Sequence, residues 1–539
     1  MRRVIWSILV LAALGLAVIF PSLLATPLSI VTGSPVSNET VRIAMTTVQE
    51  AFNQLDPHDA AGSSMGLLNN LYESLVGVDP GSLKPFPQLA ERWDIKDKGT
   101  RYVFYLRKGV KFHDGTELTS DDVKLSFDRI VAKRKHFSWQ IVANRVKSVL
   151  PRGKYLVEFV VTPSATPFVV QAEMVKIVSA DAVRKHRIGE DYATVYLKDT
   201  IVGTGPYKLV QWIPKDRFVI ARNDDYWGKK PYFARAILLD VPEISTQTLM
   251  VQKGEVDLAT MSAQATPEQV NSLRNTPGLR VIEEPGVTVN FLRIYSKGKT
   301  PTADVHVRRA ITYAMNYPRY WQVWKQNILR FNSGPVASQL LGGLVPSTLP
   351  KYDLDKAREE LRQSRFPNGG FKLVGISNVV HPVQQPAYEI LKTELAKLNI
   401  TLNIETRDWV AVYQQMLRWK KETNPDADVH ILGLNLPALV ADASFFMSIY
   451  ECQSDLNFGA YCNTDVDRLI TRTASAASTV AERNRAYLKA IELIIADSPD
   501  IILGRANHVS VVRRSIEGYV TDKQYHPFGV SIARLSRGR

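Results

Sequence analysis

Between residues 371 and 434 three short apolar runs alternate with two helical patterns, and no other feature limits the fold of this chain as tightly. FKLVGIS (371–377), ITLNIET (400–406) and DVHILGL (428–434) read as strands; Ile400, Leu402 and Ile404 alternate, and the last run is apolar enough to be buried on both faces. Behind Pro386, the residues Leu391, Leu395 and Leu398 recur at helical spacing, and WVAVYQQMLRWK (409–420) is a second helix. Parallel strands need a crossover rather than a hairpin, so β-α-β-α-β order predicts a largely parallel sheet. The ligand crevice of such a sheet lies at the strand carboxyl ends. Trp409 and Tyr413 stand four apart on one helical face, which makes them core packing or pocket walls.

A second stretch, RYVFYLRKGVKFHDGTELTSDDVKLSFDRI (101–130), reads as strand, turn and capped helix. Tyr102, Phe104 and Leu106 alternate, and His113-Asp114-Gly115 supplies the acceptor and the free φ of a tight turn. Thr119 is the expected N-cap, with Asp121 and Asp122 placing negative charge in the first turn. GTGPYKLVQW (203–212) and RFVIARNDDYWG (217–228) form a hairpin around a four-residue connection. AILLDVP (236–242), a helix to Lys253 and GEVDLAT (254–260) make a βαβ unit. Thr266-Pro267-Glu268-Gln269 is a capping box with proline at the first helical position. GLLNNLYESLVGVDP (66–80) carries Leu67, Leu68, Leu71 and Leu75 at helical spacing and is expected to be a helix.

The 539 residues allow two to four domains, and the composition is that of an ordinary globular protein. The formal net charge is +14, but Lys and Arg are scattered; Lys133-Arg134-Lys135, Arg308-Arg309 and Arg513-Arg514 are the densest spots. That pattern favours a solvated basic surface over a nucleic-acid site. Arg2 and Arg3 precede an apolar run from Val4 to Phe20, which predicts a signal peptide or amino-terminal anchor over 1–25, followed by a linker over 26–40.

Several of these segments together resemble one family. PQLAERW (87–93) with LRKGVKFHDG and DDVKLSFDRI, GTGPYKL with ARNDDYWG, GEVDL, and NFGAYCNTDVDRLI (457–470) are similar, in this order, to the extracellular solute-binding proteins of peptide-type ABC transporters, family 5. The resemblance implies an α/β, three-lobed, periplasmic-binding-protein-like fold of class II type: two main lobes closing about a hinge, plus an inserted α/β lobe. Lobe I is expected from 41–79, 201–289 and 501–539, the inserted lobe II from 80–200, and lobe III from 290–500, with crossings near 200–205, 290 and 500. It also implies a periplasmic or extracytoplasmic monomer that captures a peptide or other small molecule between lobes. The captured ligand then passes to an ABC permease in the cytoplasmic membrane. No cysteine precedes Cys452, so a lipid anchor is not expected.

In peptide-binding members of the family an aspartate in an Asp-Pro-x-x-Phe segment receives the ligand's ammonium. Asp442 with Phe445 and Phe446 is the nearest match here, although the proline is missing, the spacing is one short and Leu434 replaces a usual tryptophan. The resemblance therefore implies Asp442, Trp409, Tyr413 and Phe445 as ligand-binding residues. Because of the departures, a second ligand class stays open: an oligosaccharide, an opine-like compound or a nickel chelate. Cys452 and Cys462 are the only cysteines, and in an exported chain a disulfide is favoured over two buried thiols.

Catalytic and metal motifs are absent. The nine histidines never pair at i,i+3 or i,i+4, and no HExxH or CxxC occurs, so no metal site or cofactor is expected from local sequence. Gly62-Ser63-Ser64-Met65-Gly66 fits the nucleophile-elbow pattern, but the residues before Ser64 lack the hydrophobic strand a serine hydrolase needs. That reading is the remote alternative to a binding protein without enzymatic activity.

Overall fold

The three strands of the 371–434 region lie side by side in the order Ile400–Arg407, Phe371–Asn378, Ile431–Leu436, and all three run parallel. The structure is a computed structural model. It describes residues 39–45, 55–59, 62–133, 142–164, 166–261, 265–323, 328–329, 334–378, 383–421, 428–436, 440–477, 479–526 and 529–538. The expected export segment 1–25, and the linker up to residue 38, lie outside the described residues.

The parallel trio is one end of an eleven-stranded sheet among the described residues. Beyond Ile431–Leu436 come two long antiparallel strands, Leu279–Ile294 and Asp500–Arg513. Next are Leu258–Met261, Thr40–Met45 and Arg235–Asp240, the latter two being parallel neighbours. The hairpin Arg217–Arg222 with Tyr207–Ile213 closes the far edge. The strands Arg235–Asp240 and Leu258–Met261 flank Thr40–Met45 on opposite sides, so the helix Ile244–Lys253 between them is a crossover spanning one strand.

The two long strands belong to both ends of the sheet. They pair from Leu279 opposite Arg513 to Arg293 opposite Asp500, with register shifts between Pro285 and Val289 and again at Asn290–Phe291. At one end Val509–Val512 hold Leu258–Met261; at the other Val289–Ile294 hold Ile431–Leu436. Arg293 locks the second end. Its Nε and Nη2 donate to the two carboxylate oxygens of Asp500, each at 2.7 Å, and Tyr450 donates its hydroxyl to the same aspartate.

Residues 90–161 build a separate antiparallel sheet of four strands, in the order Ala90–Lys96, Arg101–Leu106, Leu156–Val161, Val146–Pro151. The helix Ser120–Lys133 covers it through Phe127, whose ring meets Phe159 edge-on at 4.7 Å; Phe104 and Phe168 complete the aromatic core. The expected cap is present: Thr119 Oγ1 accepts the Asp121 N–H at 3.3 Å, and Asp122 Oδ2 accepts from both the backbone N–H and the hydroxyl of Thr119. The His113 turn is fastened to the 203–205 segment, with its N–H on the Gly203 carbonyl at 2.8 Å and its ring on the Gly205 carbonyl.

The helix expected over 66–80 is cut short. A helix covers Gly62–Leu68, and strand Val76–Val78 follows after irregular backbone. The carbonyls that would continue the helix are taken elsewhere: Asn70 accepts from Tyr207 N–H and Leu71 from Gly205 N–H. A Cβ on Gly203 would lie 2.1 Å from the Leu71 oxygen, so this close approach of two backbones requires glycine. Leu71 and Leu75 are fully buried, but tertiary packing accounts for that rather than a helix face.

Candidate functional site

A cavity of about 340 Å³ opens where the four-stranded part meets the region after strand Ile431–Leu436. One wall is Asn144, Arg145, Thr162, Pro163, Ser164, Thr166 and Gln171. The opposite wall has three sources: Val440 with Ser444, Phe445 and Ser448; Glu451 with Gln453, Ser454, Asp455 and Leu456; and Tyr487 from helix Val480–Asp497. A direct hydrogen bond links the walls, from Asn144 Nδ2 to Asp455 Oδ2 at 3.4 Å. Lys420 pairs with the other oxygen of Asp455.

Arg145 is buried, at 7% exposure, and is held by backbone rather than by acid. Its Nε donates to the Thr162 carbonyl at 2.9 Å, and Nη1 donates to the Thr166 carbonyl at 3.0 Å and to Gln171 Oε1 at 3.1 Å. Nη2 has no hydrogen-bond partner among the described residues. Burial without a counter-charge pushes the guanidinium down to about 10. Across the cavity, burial and then the neighbouring charge of Asp467 push the Glu451 carboxyl up to about 7.

Glu451 immediately precedes the bridge. Cys452 and Cys462 are joined as a disulfide, with their Cα atoms 4.7 Å apart. Asp467 accepts the Cys452 N–H, and Asn457 Nδ2 donates to the carbonyls of Glu451 and Tyr461. The bridge thus closes the loop that supplies Gln453, Ser454, Asp455 and Leu456 to the cavity.

Of the residues selected from the sequence, Phe445 lines this cavity, packed edge-on against Phe446 with ring centres 5.6 Å apart. Asp442 lies behind it. It is the N-cap of helix Ala443–Ser448, with Oδ1 accepting from the Ser444 N–H at 2.9 Å and the Ser444 hydroxyl at 2.6 Å. Oδ2 accepts from Arg483 Nη2 at 2.7 Å, and both side chains are buried. The Asp442 charge is therefore already matched inside the chain. Tyr413 packs half-buried against the core, at the edge of the buried stripe Val412, Met416 and Trp419 of helix Trp409–Lys421. Trp409 opens that helix, and its side chain lies outside the described residues. Ser64 falls within helix Gly62–Leu68, preceded at 55–59 by turn rather than strand.

Arg145 and Glu451 were not selected from the sequence. Arg145 belongs to no motif, whereas the position of Glu451 beside Cys452 was a usable signal for the second. Among the described residues no cluster of His, Cys, Asp and Glu has the makings of a metal site, and no helix is long and apolar enough to cross a membrane.

Two main sheet regions sharing long strands, an inserted sheet and a cavity where that sheet meets the region after strand Ile431–Leu436 define a ligand-binding protein of the periplasmic type. The profile of the bacterial extracellular solute-binding proteins, family 5 (Middle), matches residues 84–456, and the chain belongs to that family. It is 26% identical over 516 residues to the dipeptide-binding protein of Escherichia coli K12, covering 86% of this chain and 89% of that protein. The ABC transporter-associated periplasmic binding protein DppA of Helicobacter pylori, solved with the peptide STSA, superposes with a TM-score of 0.78 at 26% identity, over 93% of this chain and 98% of that one. NikZ of Campylobacter jejuni, solved with Ni(L-His), shares the fold with a TM-score of 0.74 at 19% identity, over 93% of this chain and 100% of that one.

Proposed function

We propose that this chain captures a short peptide outside the cytoplasmic membrane and delivers it to an ABC permease, as a monomer and without covalent chemistry. The observation that carries the reading is the cavity between the four-stranded part and the region after strand Ile431–Leu436, walled by polar groups and by charges of both signs. Lobe I is taken as 41–79, 201–289 and 501–539, the inserted lobe as 80–200, and the remaining lobe as 290–500. A ligand that touches both walls favours their approach, because the contacts it makes to both at once exist only in the closed arrangement. The names of the relatives in E. coli and H. pylori support a peptide as the ligand. The volume lies near the lower end of the roughly 300–1,000 Å³ usual for small-ligand pockets, which favours short peptides over long ones.

Native mass spectrometry of the protein, purified without refolding, tests the ligand class. Adducts with peptide masses are the expected result. A single non-peptide mass, such as a sugar or a nickel chelate, would overturn the peptide reading and leave the family assignment standing.

A further inference from the structure

Three buried acids in this chain each face a cation: Asp56 meets Arg129 and Lys133, Asp500 meets Arg293, and Asp442 meets Arg483. Each satisfies the rule that a charge taken out of water needs a counter-charge. The junction of residues 73–74, 173–177 and 521–526 departs from it. Glu73, Glu173 and Asp522 are all buried there, and Lys176, also buried, is the one cation within the cluster among the described residues. Lys176 Nζ lies 3.6 Å from Glu173 Oε1 and donates to the Ser74 hydroxyl at 2.9 Å and the Glu173 carbonyl at 3.0 Å. Ser74 donates to the same carbonyl at 2.6 Å, and the Ile177 N–H donates to the Glu73 carbonyl at 2.9 Å. From the carboxy-terminal segment the Tyr525 hydroxyl donates to the Glu173 carboxylate, while Asp522 accepts the N–H groups of Gln524 and Tyr525. Three acids thus share one ammonium in a buried space, and full ionisation would leave two negative charges uncompensated.

We propose that this cluster is a proton-operated clasp: with protons on Glu73 and Asp522 it holds the 173–177 segment to residues 73–74 and to the carboxy-terminal segment, and loss of those protons slackens it. Gln171, two residues before Glu173, lines the cavity, so the clasp sets where that wall stands. The clasp does not depend on which ligand the cavity takes. Burial pushes the Glu73 carboxyl up to about 7, against the donors Trp227, Tyr226 and Thr204, and the Asp522 carboxyl up to about 6. Both lie above the unfolded values of 4.5 and 3.8, so each contribution is full below those values and is lost as pH rises through about 7 and about 6. Burial lowers Lys176 as well, and Glu173, Glu73 and Asp522 oppose that shift. Around the cluster, Arg534 pairs with Asp79, Lys523 lies near Glu284, and Arg107 sits over the Trp227 ring. Three histidines pack alongside: the His58 ring meets the Lys176 carbonyl at 2.7 Å, and His508 stacks on His526. Burial holds His58 and His526 down to about 3 and His508 well below its ordinary value. Their contribution therefore runs in the opposite sense, present above 6.5 and lost as pH falls.

Hydrogen exchange on the full-length protein tests the clasp. Amide protection is read at pH 6 and pH 8 for Ile177 and His526, whose N–H groups bond to the Glu73 and Asp522 carbonyls. Each wild-type value is divided by that of Glu73→Gln or of Asp522→Asn at the same pH, so the histidines cancel. The amides stand in for the protonated acids at both pH values. From pH 6 to pH 8 the ratio is therefore expected to fall about tenfold against Glu73→Gln and about twofold against Asp522→Asn. Asp522→Asn keeps the acceptor for the Gln524 and Tyr525 N–H groups, so it gives a result even where Glu73→Gln is poorly folded. A ratio that stays the same at both pH values would overturn the proposal, since the acid would then hold one protonation state across the range. An equal fall at strand Phe371–Asn378, in the parallel trio at the far end of the large sheet, would overturn it too, by making the effect one of global stability.

Discussion

Two glutamates in this molecule are pushed by burial from the ordinary carboxylate value to the same level, about 7, and their surroundings could hardly differ more. Glu73 is 1% exposed, where the first strands meet the 204–227 segment. It accepts from Trp227 Nε1 at 2.8 Å, Tyr226 hydroxyl at 2.9 Å and Thr204 hydroxyl at 2.9 Å. Glu451 lines an open cavity and has no such donor among the described residues. A buried carboxylate surrounded by fixed donors is a structural joint; one that is part-buried beside a cavity and left without them can still be approached by a ligand. The same raised pKa therefore has two meanings, and the hydrogen-bond partners decide between them.

Replacing each acid by its amide should separate these meanings. The largest effect is expected for Glu451→Gln on ligand affinity, a loss of about 10–100-fold in calorimetry, the size of a charge-assisted hydrogen bond. The pH dependence should carry the same signature. Only ionised Glu451 pairs with an ammonium, so affinity should fall by up to about tenfold per unit as pH drops below about 7, and this slope should flatten in Glu451→Gln. Opening the bridge in Cys452→Ser/Cys462→Ser should cost roughly 2–3 kcal/mol in denaturant unfolding. Because that loop supplies Gln453, Ser454, Asp455 and Leu456 to the cavity, affinity should weaken as well. Glu73→Gln should cost about 1–3 kcal/mol of stability, since an amide cannot accept from all three donors, while ligand affinity stays unchanged.

The smallest effect has the opposite sign. A carboxyl whose folded pKa is raised contributes stability that is full below its unfolded value of 4.5 and is lost as pH rises through about 7. Glu451→Gln removes that loss without breaking any bond. The empty variant should therefore melt higher than the wild type at pH 8, by on the order of 1 kcal/mol, and equally at pH 5. A variant that gains stability as it loses affinity would mark Glu451 as a binding group, whereas equal losses in both would make it a second Glu73.

Local signals in the sequence carried the fold further than the site. The alternation of Ile400, Leu402 and Ile404 between two helical stretches was enough to place three parallel strands, because period and crossover length leave few alternatives. The Thr266–Gln269 capping box is formed reciprocally, since both partners lie within one turn. The leucines of 66–80 misled because burial by the 203–207 segment produces the same spacing as a helix face over so short a run. In the cavity the decisive contacts are remote in sequence. Asp442 is legible as a cap, but its pairing with Arg483, forty-one positions on, is not. Arg145 and Glu451 gain meaning only once folding sets one wall against the other.

The most direct measurement is a crystal structure of the protein with the strongest-binding dipeptide. The expected result is a peptide in the cavity, in contact with both the Thr162–Thr166 wall and the Phe445 wall, and the Asp442–Arg483 pair intact. A peptide bound elsewhere, or one whose ammonium has displaced Arg483 from Asp442, would contradict it.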